Sequence, residues 1–316
     1  MGLKGMVFTL MAILLIALAV GMVTVPYTAG RQKSQSILNG RMQSMNMFIH
    51  NIEHDAEVAA YTASFRGVIA LIEEISNTGA YIDDVDAAMH ELMMNATLDG
   101  DTVFVMQNNT LENWTAKIRE QADKIGIDLD MDITDIWVYH EDPWHLTTKV
   151  AFRCQLDDDR GLASWDFPMN ITSRLQIERF SDPLWIVETG NQLARTVNMT
   201  PYEENFTEGA GTGNIRDHIE KGYYLAFSAA PSFKKRLEGD LSPDPNGIES
   251  LVDKQELEIY MPVDETKTAV DHIYFGDQDP DAYTFTNMPS KFALDNLTNS
   301  TGMNRIALYN LSHLVT

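Results

Sequence analysis

His50, Glu53 and His54 stand in the string HNIEH. This is the H-x-x-E-H spacing in which two imidazoles one helical turn apart hold zinc beside a carboxylate base. The spacing places both histidines on one helix face. Ile52, between them, belongs to an apolar seam, and the string lies on a helical stem near a long apolar run. It therefore reads as a solvated pair flanking the seam, with a metal-dependent envelope hydrolase as the rival.

Oxygen-ligand patterns come next. In residues 242–253, SPDPNGIESLVD, Asp244, Asn246 and Asp253 bracket Gly247 in the manner of a calcium loop, but two prolines and Ile248 interrupt it. Asp277, Asp279 and Asp281 alternate in DQDPDAY without a glycine, and DDDRG at 157–161 suits a hairpin tip. All read as turns, with a weak extracellular calcium site among them as the alternative. No other cofactor is expected. Gly209, Gly211 and Gly213 lack the spacing of a dinucleotide fingerprint, and no strand leads into them. There is no phosphate loop, nucleophile elbow or Cys/His cluster. The single cysteine, Cys154, rules out an intrachain disulfide and reads as a small buried hydrophobe, an interchain disulfide or reactive thiol being the other possibilities.

The most over-represented pattern is the acceptor sequon N-x-[ST]. It occurs at Asn95, Asn108, Asn113, Asn170, Asn198, Asn205, Asn296, Asn299 and Asn310, nine of the 19 asparagines and several times what composition alone gives. All nine lie beyond residue 90. They place the bulk of the chain outside the cell, on the side where sugars are added.

What carries these residues is set by charge and hydropathy. The net charge is −23, from 46 acids and 23 bases, which argues against a nucleic-acid partner. The first acid is Glu53, and before it stand Lys4, Arg31, Lys33 and Arg41, a basic stem suited to anionic lipid headgroups. Residues 6–25 contain no charge. At 1.5 Å per residue they make about 30 Å of helix, the thickness of a hydrocarbon core. The run is longer than an export signal needs, although Thr28, Ala29 and Gly30 offer a small-residue cleavage site. The expectation is one membrane span with the acidic bulk extracellular.

Beyond the span, Leu38, Met42, Met45, Ile49, Ile52, Ala56, Ala59 and Ala63 step by fours and threes, a heptad seam, which shifts to Phe65, Val68, Ile69, Ile72 and Ile75. Pro26 predicts a kink, and SNTGAYIDD from Ser76 ends the helix. Such a seam needs either the protein's own head or copies of itself. A second helix is expected in DDVDAAMHELMMNA, with Val85, Met89, Leu92 and Met93 on one face.

The opening LKG followed by an apolar run resembles the amino terminus of archaeal type IV pilin-like proteins, over about residues 1–75. The resemblance implies cleavage between Gly5 and Met6, and self-association of the remaining helix in a filament core. Leu10 stands where many pilins carry a glutamate, so a minor component or an anchored single-span archaeal surface glycoprotein fits better than a major subunit.

From about residue 101 the periodicity changes. ENWTAKIREQADKIG reads as an amphipathic helix with Trp114, Ile118 and Ala122 on one side. IGIDLDMDITDIWVYH alternates Ile127, Leu129, Met131 and Ile133 with polar residues, a half-buried strand, and HLTTKVAFRCQL and NITSRLQIERF read as two more. EDPWHL and SDPLWIV echo each other at Asp142 and Asp182 as two corners. EENFTEGAGTGNIRD, 203–217, reads as a linker or long loop, followed by strand candidates GYYLAFSAA, LEIYMPV, DHIYFG, YTFT and RIALYNL.

The fold class expected is α+β: a long N-terminal transmembrane and stem helix, then a β-rich, sandwich-like ectodomain of antiparallel sheet. The expected division is an anchor at 1–30 with a leader at 1–5, a stem at 31–98, an α+β domain at 99–208 and a β-rich domain at 209–316. The function expected is a non-enzymatic structural or adhesive glycoprotein of the cell surface, with a carbohydrate- or partner-binding module as the alternative.

Overall fold

The computed structural model describes residues 3–209 and 211–316, with side chains from residue 38 onward. Gly5, Met6 and the apolar run 6–25, on which the processing site and the membrane span rest, lie outside the residues whose side chains are described. Among the residues whose side chains are described, 38–209 and 211–316, no helix is long and apolar enough to cross a membrane.

The fold is α+β with antiparallel sheets. One helix, α1 (Leu3–Thr78), includes Pro26 within a single span. It ends where expected: Gly79 takes φ +69° and its N–H caps the Ile75 carbonyl at 2.8 Å. Helix α2 (Val85–Asn95) follows, with Asp84 accepting from the Ala87 N–H, and buries Val85, Met89, Leu92 and Met93. A two-residue ladder, β1 (Thr97–Leu98) with β2 (Asp101–Thr102), leads to α3 (Leu111–Lys124), capped by Thr110. The face expected of α3 is the one that packs, with Ala122 buried and Trp114 edge-on to Phe152 at 5.7 Å.

The central sheet is a meander of β3 (Ile127–Asp142), β4 (His145–Asp158) and β5 (Ser164–Gln176), in the order β3-β4-β5. Its inner face is Ile127, Leu129 and Met131, then Val150, Phe152, Cys154 and Leu156, then Met169, Ile171 and Leu175, all buried. A bulge between Ile133 and Asp135 shifts the alternation by one. Ile136 and Val138 therefore face the core, while Trp137 and Tyr139 face out. Cys154 is buried and free, and burial pushes its thiol up to about 11, so it packs as a hydrophobe.

The sheet's inner face is covered by α1, whose seam is thus taken by the protein's own head. Met45, Ile52, Ala56, Ala63, Val68 and Ile75 are buried, as is Ala60. Small side chains let the helix come close: Ser64 Oγ donates to Thr148 Oγ1 at 2.8 Å across the interface. Arg41, expected in the basic stem, instead reaches the head, donating to Asp158 Oδ1 and the Gly126 carbonyl, each at 2.5 Å.

The rest of the chain is built from short pieces. They are α4 (Pro183–Glu188), α5 (Gly213–Lys221), the ladder of β6 (Tyr224–Ala226) with β7 (Ile248–Ser250), α6 (Phe233–Glu238), α7 (Lys254–Leu257), α8 (Asp271–Tyr274), the ladder of β8 (Ala282–Thr284) with β9 (Ala293–Asp295), and α9 (Arg305–Leu308). This corrects several strand expectations. DHIYFG and RIALYNL hold the single-turn helices α8 and α9, and LEIYMPV is the end of α7 and an exposed turn. The described residues of 209–316 form two-stranded ladders rather than two packed sheets. The expected linker 203–217 is tied down: Phe206 and Ile215 are buried, and α5 starts within it. The main core also continues past residue 209 into Phe233, Leu237 and Ile248.

Gly247 shows why a glycine stands in the loop read as calcium-like. A Cβ there would lie 2.0 Å from the Ala230 carbonyl oxygen and 2.5 Å from that of Phe227. Gly247→Ala is expected to cost about 3 kcal/mol, because the obstacle is backbone and cannot swing aside. Thermal unfolding of the variant checks this, and a melting point equal to the parent's would refute it.

Candidate functional site

Three surroundings hold chemistry-bearing side chains. The first is a buried ionic cluster in the C-terminal half. Asp182 caps α4 and is fully buried. Its Oδ2 accepts from Arg236 Nη1 at 2.6 Å and from the Tyr224 hydroxyl at 2.7 Å. Arg236 also donates to both oxygens of Asp271, at 2.9 and 3.2 Å, and to the Ile248 carbonyl at 2.5 Å. Beside it, Arg305 donates to Glu249 Oε2 at 2.9 Å through Nε and to Asp295 Oδ1 at 2.6 Å through Nη1. Tyr309 donates to Glu249 Oε1 at 3.2 Å, and Thr268 to Asp295 Oδ2 at 2.9 Å. Burial alone would raise the Glu249 carboxyl, but Arg305 and His272 bring it down to about 2.

Each arginine in this cluster faces two carboxylates, so the surplus negative charge is met by hydroxyl and backbone donors. The cluster stitches α4, α6, β7, α8, β9 and α9 together in a region too short of regular structure to hold itself by ladders. It is a solid polar core, and its chemistry is cohesion. Of these residues, sequence reading singled out Asp182 alone, as half of an echo. Its partners stand far from it along the chain, and no local spacing marks them.

The second is a groove between α1 and the end of β5, lined by Tyr61, Phe65, Ile69, Leu175 and Phe180, with Glu178 and Arg179 at its rim. Tyr61 and Phe65 are 45% and 39% exposed and lie parallel at 6.4 Å between ring centroids. Phe180 continues this aromatic row inward, 5.6 Å from Phe65 and 6.3 Å from Phe233. With Val58, also exposed, Tyr61 and Phe65 form a second apolar stripe on α1 that the head covers only in part, through Phe180 against Phe65.

The third is the outer face of the β3-β4-β5 sheet. It presents Trp137 and Tyr139 from β3, Lys149 from β4 with its ammonium 5.3 Å from the Trp137 ring centroid, and Asn170 from β5.

None of the nine sequon asparagines is buried. The remaining described asparagines are also at the surface, so this position follows from residue type and does not single out the acceptors. Some amides are engaged: Asn113 Nδ2 donates to Thr110 Oγ1 at 2.8 Å, Asn198 Nδ2 to the Thr196 carbonyl at 3.2 Å, and Asn310 Nδ2 to the Thr207 carbonyl at 3.4 Å.

The metal candidates are occupied or dispersed. Asp244 Oδ1 accepts from the Asn246 N–H and Oδ2 from Ser232 Oγ, Asn246 donates to the His140 carbonyl, and Asp253 caps α7. Asp277, Asp279 and Asp281 are exposed. His50 and His54 stand in the open, their side chains 84% and 80% exposed and each 3.6–3.8 Å from a glutamate one turn on. Among the described residues, no three His, Cys, Asp or Glu side chains gather as a metal site.

No family model, no curated protein and no solved structure matches this chain.

Proposed function

We propose that this chain is a membrane-anchored, N-glycosylated extracellular protein with a structural or adhesive role, built to self-associate through its amino-terminal helix in the manner of a pilin-like component. The observation that carries this reading is the continuity of α1. The uncharged run 6–25 and the stripe packed under the head belong to one unbroken helix, so the head is joined to the apolar segment by a rod and not a loose tether. The partly open stripe of Val58, Tyr61 and Phe65 supports association beyond the protein's own head.

The mature amino terminus, read by mass spectrometry on protein from its native host, tests the reading. A start at Met6 supports pilin-type processing, and a start at Met1 or Gly2 supports a plain anchor. A head protected from protease in intact cells, with every sequon unmodified, overturns both. The exposed Trp137 and Tyr139 favour a second reading, a carbohydrate-binding module, which a glycan array would test.

A further inference from the structure

We propose that Asn170 carries an N-linked glycan whose first sugars lie on the outer face of the central sheet, over Ala151 and toward Trp137 and Lys149. This rests on the glycosylated reading above and names what one of its sites does. Among the nine acceptors in the described residues, Asn170 alone lies within a strand, midway along β5. Side chains two apart on a strand point the same way, so Asn170 and the Thr172 of its sequon both stand on the exposed face. The Asn170 amide makes no hydrogen bond among the described residues, and β5 is an edge strand, so the acceptor nitrogen is approachable.

The surroundings suit a sugar. Directly across the ladder is Ala151, with Asp135 beyond it, and the next outward row is Thr172, Lys149 and Trp137. The small Ala151 leaves a shallow floor beside the acceptor. Trp137 is two strands over and one row along, about 12 Å from Asn170 between backbones, within reach of a short oligosaccharide. Trp137 is 42% exposed, and Tyr139, two residues on, is 37% exposed. Trp and Tyr offer a flat apolar face with a polar edge, which matches a pyranose ring, and Lys149 and Asp135 supply polar partners for its hydroxyls. The glycan thus covers the aromatic surface of Trp137 and Tyr139 that is left exposed beside Lys149. In the transfer, the bond from Asn170 Nδ2 to the sugar C1 forms as the C1–O bond to a lipid-linked phosphate donor breaks. The oxygen leaves with the bonding pair, and one amide hydrogen is lost as a proton.

The test uses the full chain isolated from a host that N-glycosylates. Glycopeptide mass spectrometry is combined with hydroxyl-radical footprinting of Trp137 and Tyr139. The expected result is a glycan mass on the Asn170 peptide. That mass is lost in both Asn170→Gln and Thr172→Ala, and labelling of Trp137 and Tyr139 rises in both while Trp114 on the opposite face is unchanged. Two variants that remove the acceptor by different residues guard against a folding defect in one. An unmodified Asn170 beside glycans at other sequons overturns the inference and leaves the glycoprotein reading standing. A glycan at Asn170 with unaltered labelling of Trp137 and Tyr139 in the variants overturns the seat on the sheet. Nine unmodified sequons overturn the glycoprotein reading and this inference with it.

Discussion

Arg305→Met is expected to destabilise the protein by about 3–5 kcal/mol, the usual cost of removing one partner from a buried ion pair. The substitution keeps much of the side-chain volume but strands Glu249 and Asp295, both fully buried, with no cation between them. Tyr309 and Thr268 remain as donors, and hydroxyls alone do not replace a guanidinium shared by two carboxylates. For a chain of this size the melting point should fall on the order of 10 °C. Neutralising the stranded groups as well, in Arg305→Met with Glu249→Gln and Asp295→Asn, should recover part of the loss, because much of the cost is the unpaired charge and not the missing contact. Arg236→Met should behave alike through Asp182 and Asp271. An Arg305→Met protein within 1 kcal/mol of the parent would show that the cluster is solvated and does not hold the C-terminal half.

The sequence made the first half of the fold far more legible than the second, and the reason is the range of the interactions. The α1 seam, α2, α3 and the three long strands are each announced by a period of 3.6 or 2 that repeats for ten residues or more. Even there one detail is hidden: the bulge at 133–135 inverts the facing of Trp137 and Tyr139, and strict alternation would have sent them inward. In the second half, stretches such as DHIYFG and RIALYNL carry β-branched and aromatic residues that favour strands. They become single helical turns because Asp271, His272 and Arg305 must point into the ionic cluster. Tertiary pairing decides these segments, and no window of sequence contains both partners. The sequon asparagines were legible as a pattern, but the distinction of Asn170 needed the register, since only the ladder sets it across from Ala151 and a row from Trp137.

Acidification should unfold the protein well before its surface carboxylates are all protonated. His218 is fully buried, with Nδ1 against Thr200 Oγ1 at 3.1 Å and Phe206, Tyr223 and Tyr309 around the ring. Burial pushes it down from 6.5 to about 4, against the attraction of Glu249 and Asp217. Burial also lowers His140, against Asp142 and Asp244. A base depressed in the folded state stays neutral there while the unfolded chain takes up the proton. The unfolded state then binds more protons, and stability falls as pH falls from 6.5 toward 4. For His218 the separation corresponds to about 3 kcal/mol. Below 4.5 Glu249 adds to the loss in the same sense, as its carboxylate is held down to about 2 by Arg305 and His272. Asp182, raised by burial, opposes the trend, since its folded form takes a proton more readily than the unfolded chain. Between pH 7.5 and pH 5 the depressed histidines carry the dependence, and Glu249 enters only below that range. Melting of the full chain at pH 7.5 and pH 5 should therefore differ by roughly 5 °C or more, and His218→Leu should flatten the dependence. Equal melting points at the two pH values, or a His218→Leu protein with the parent's slope, would place the acid-sensitive group elsewhere.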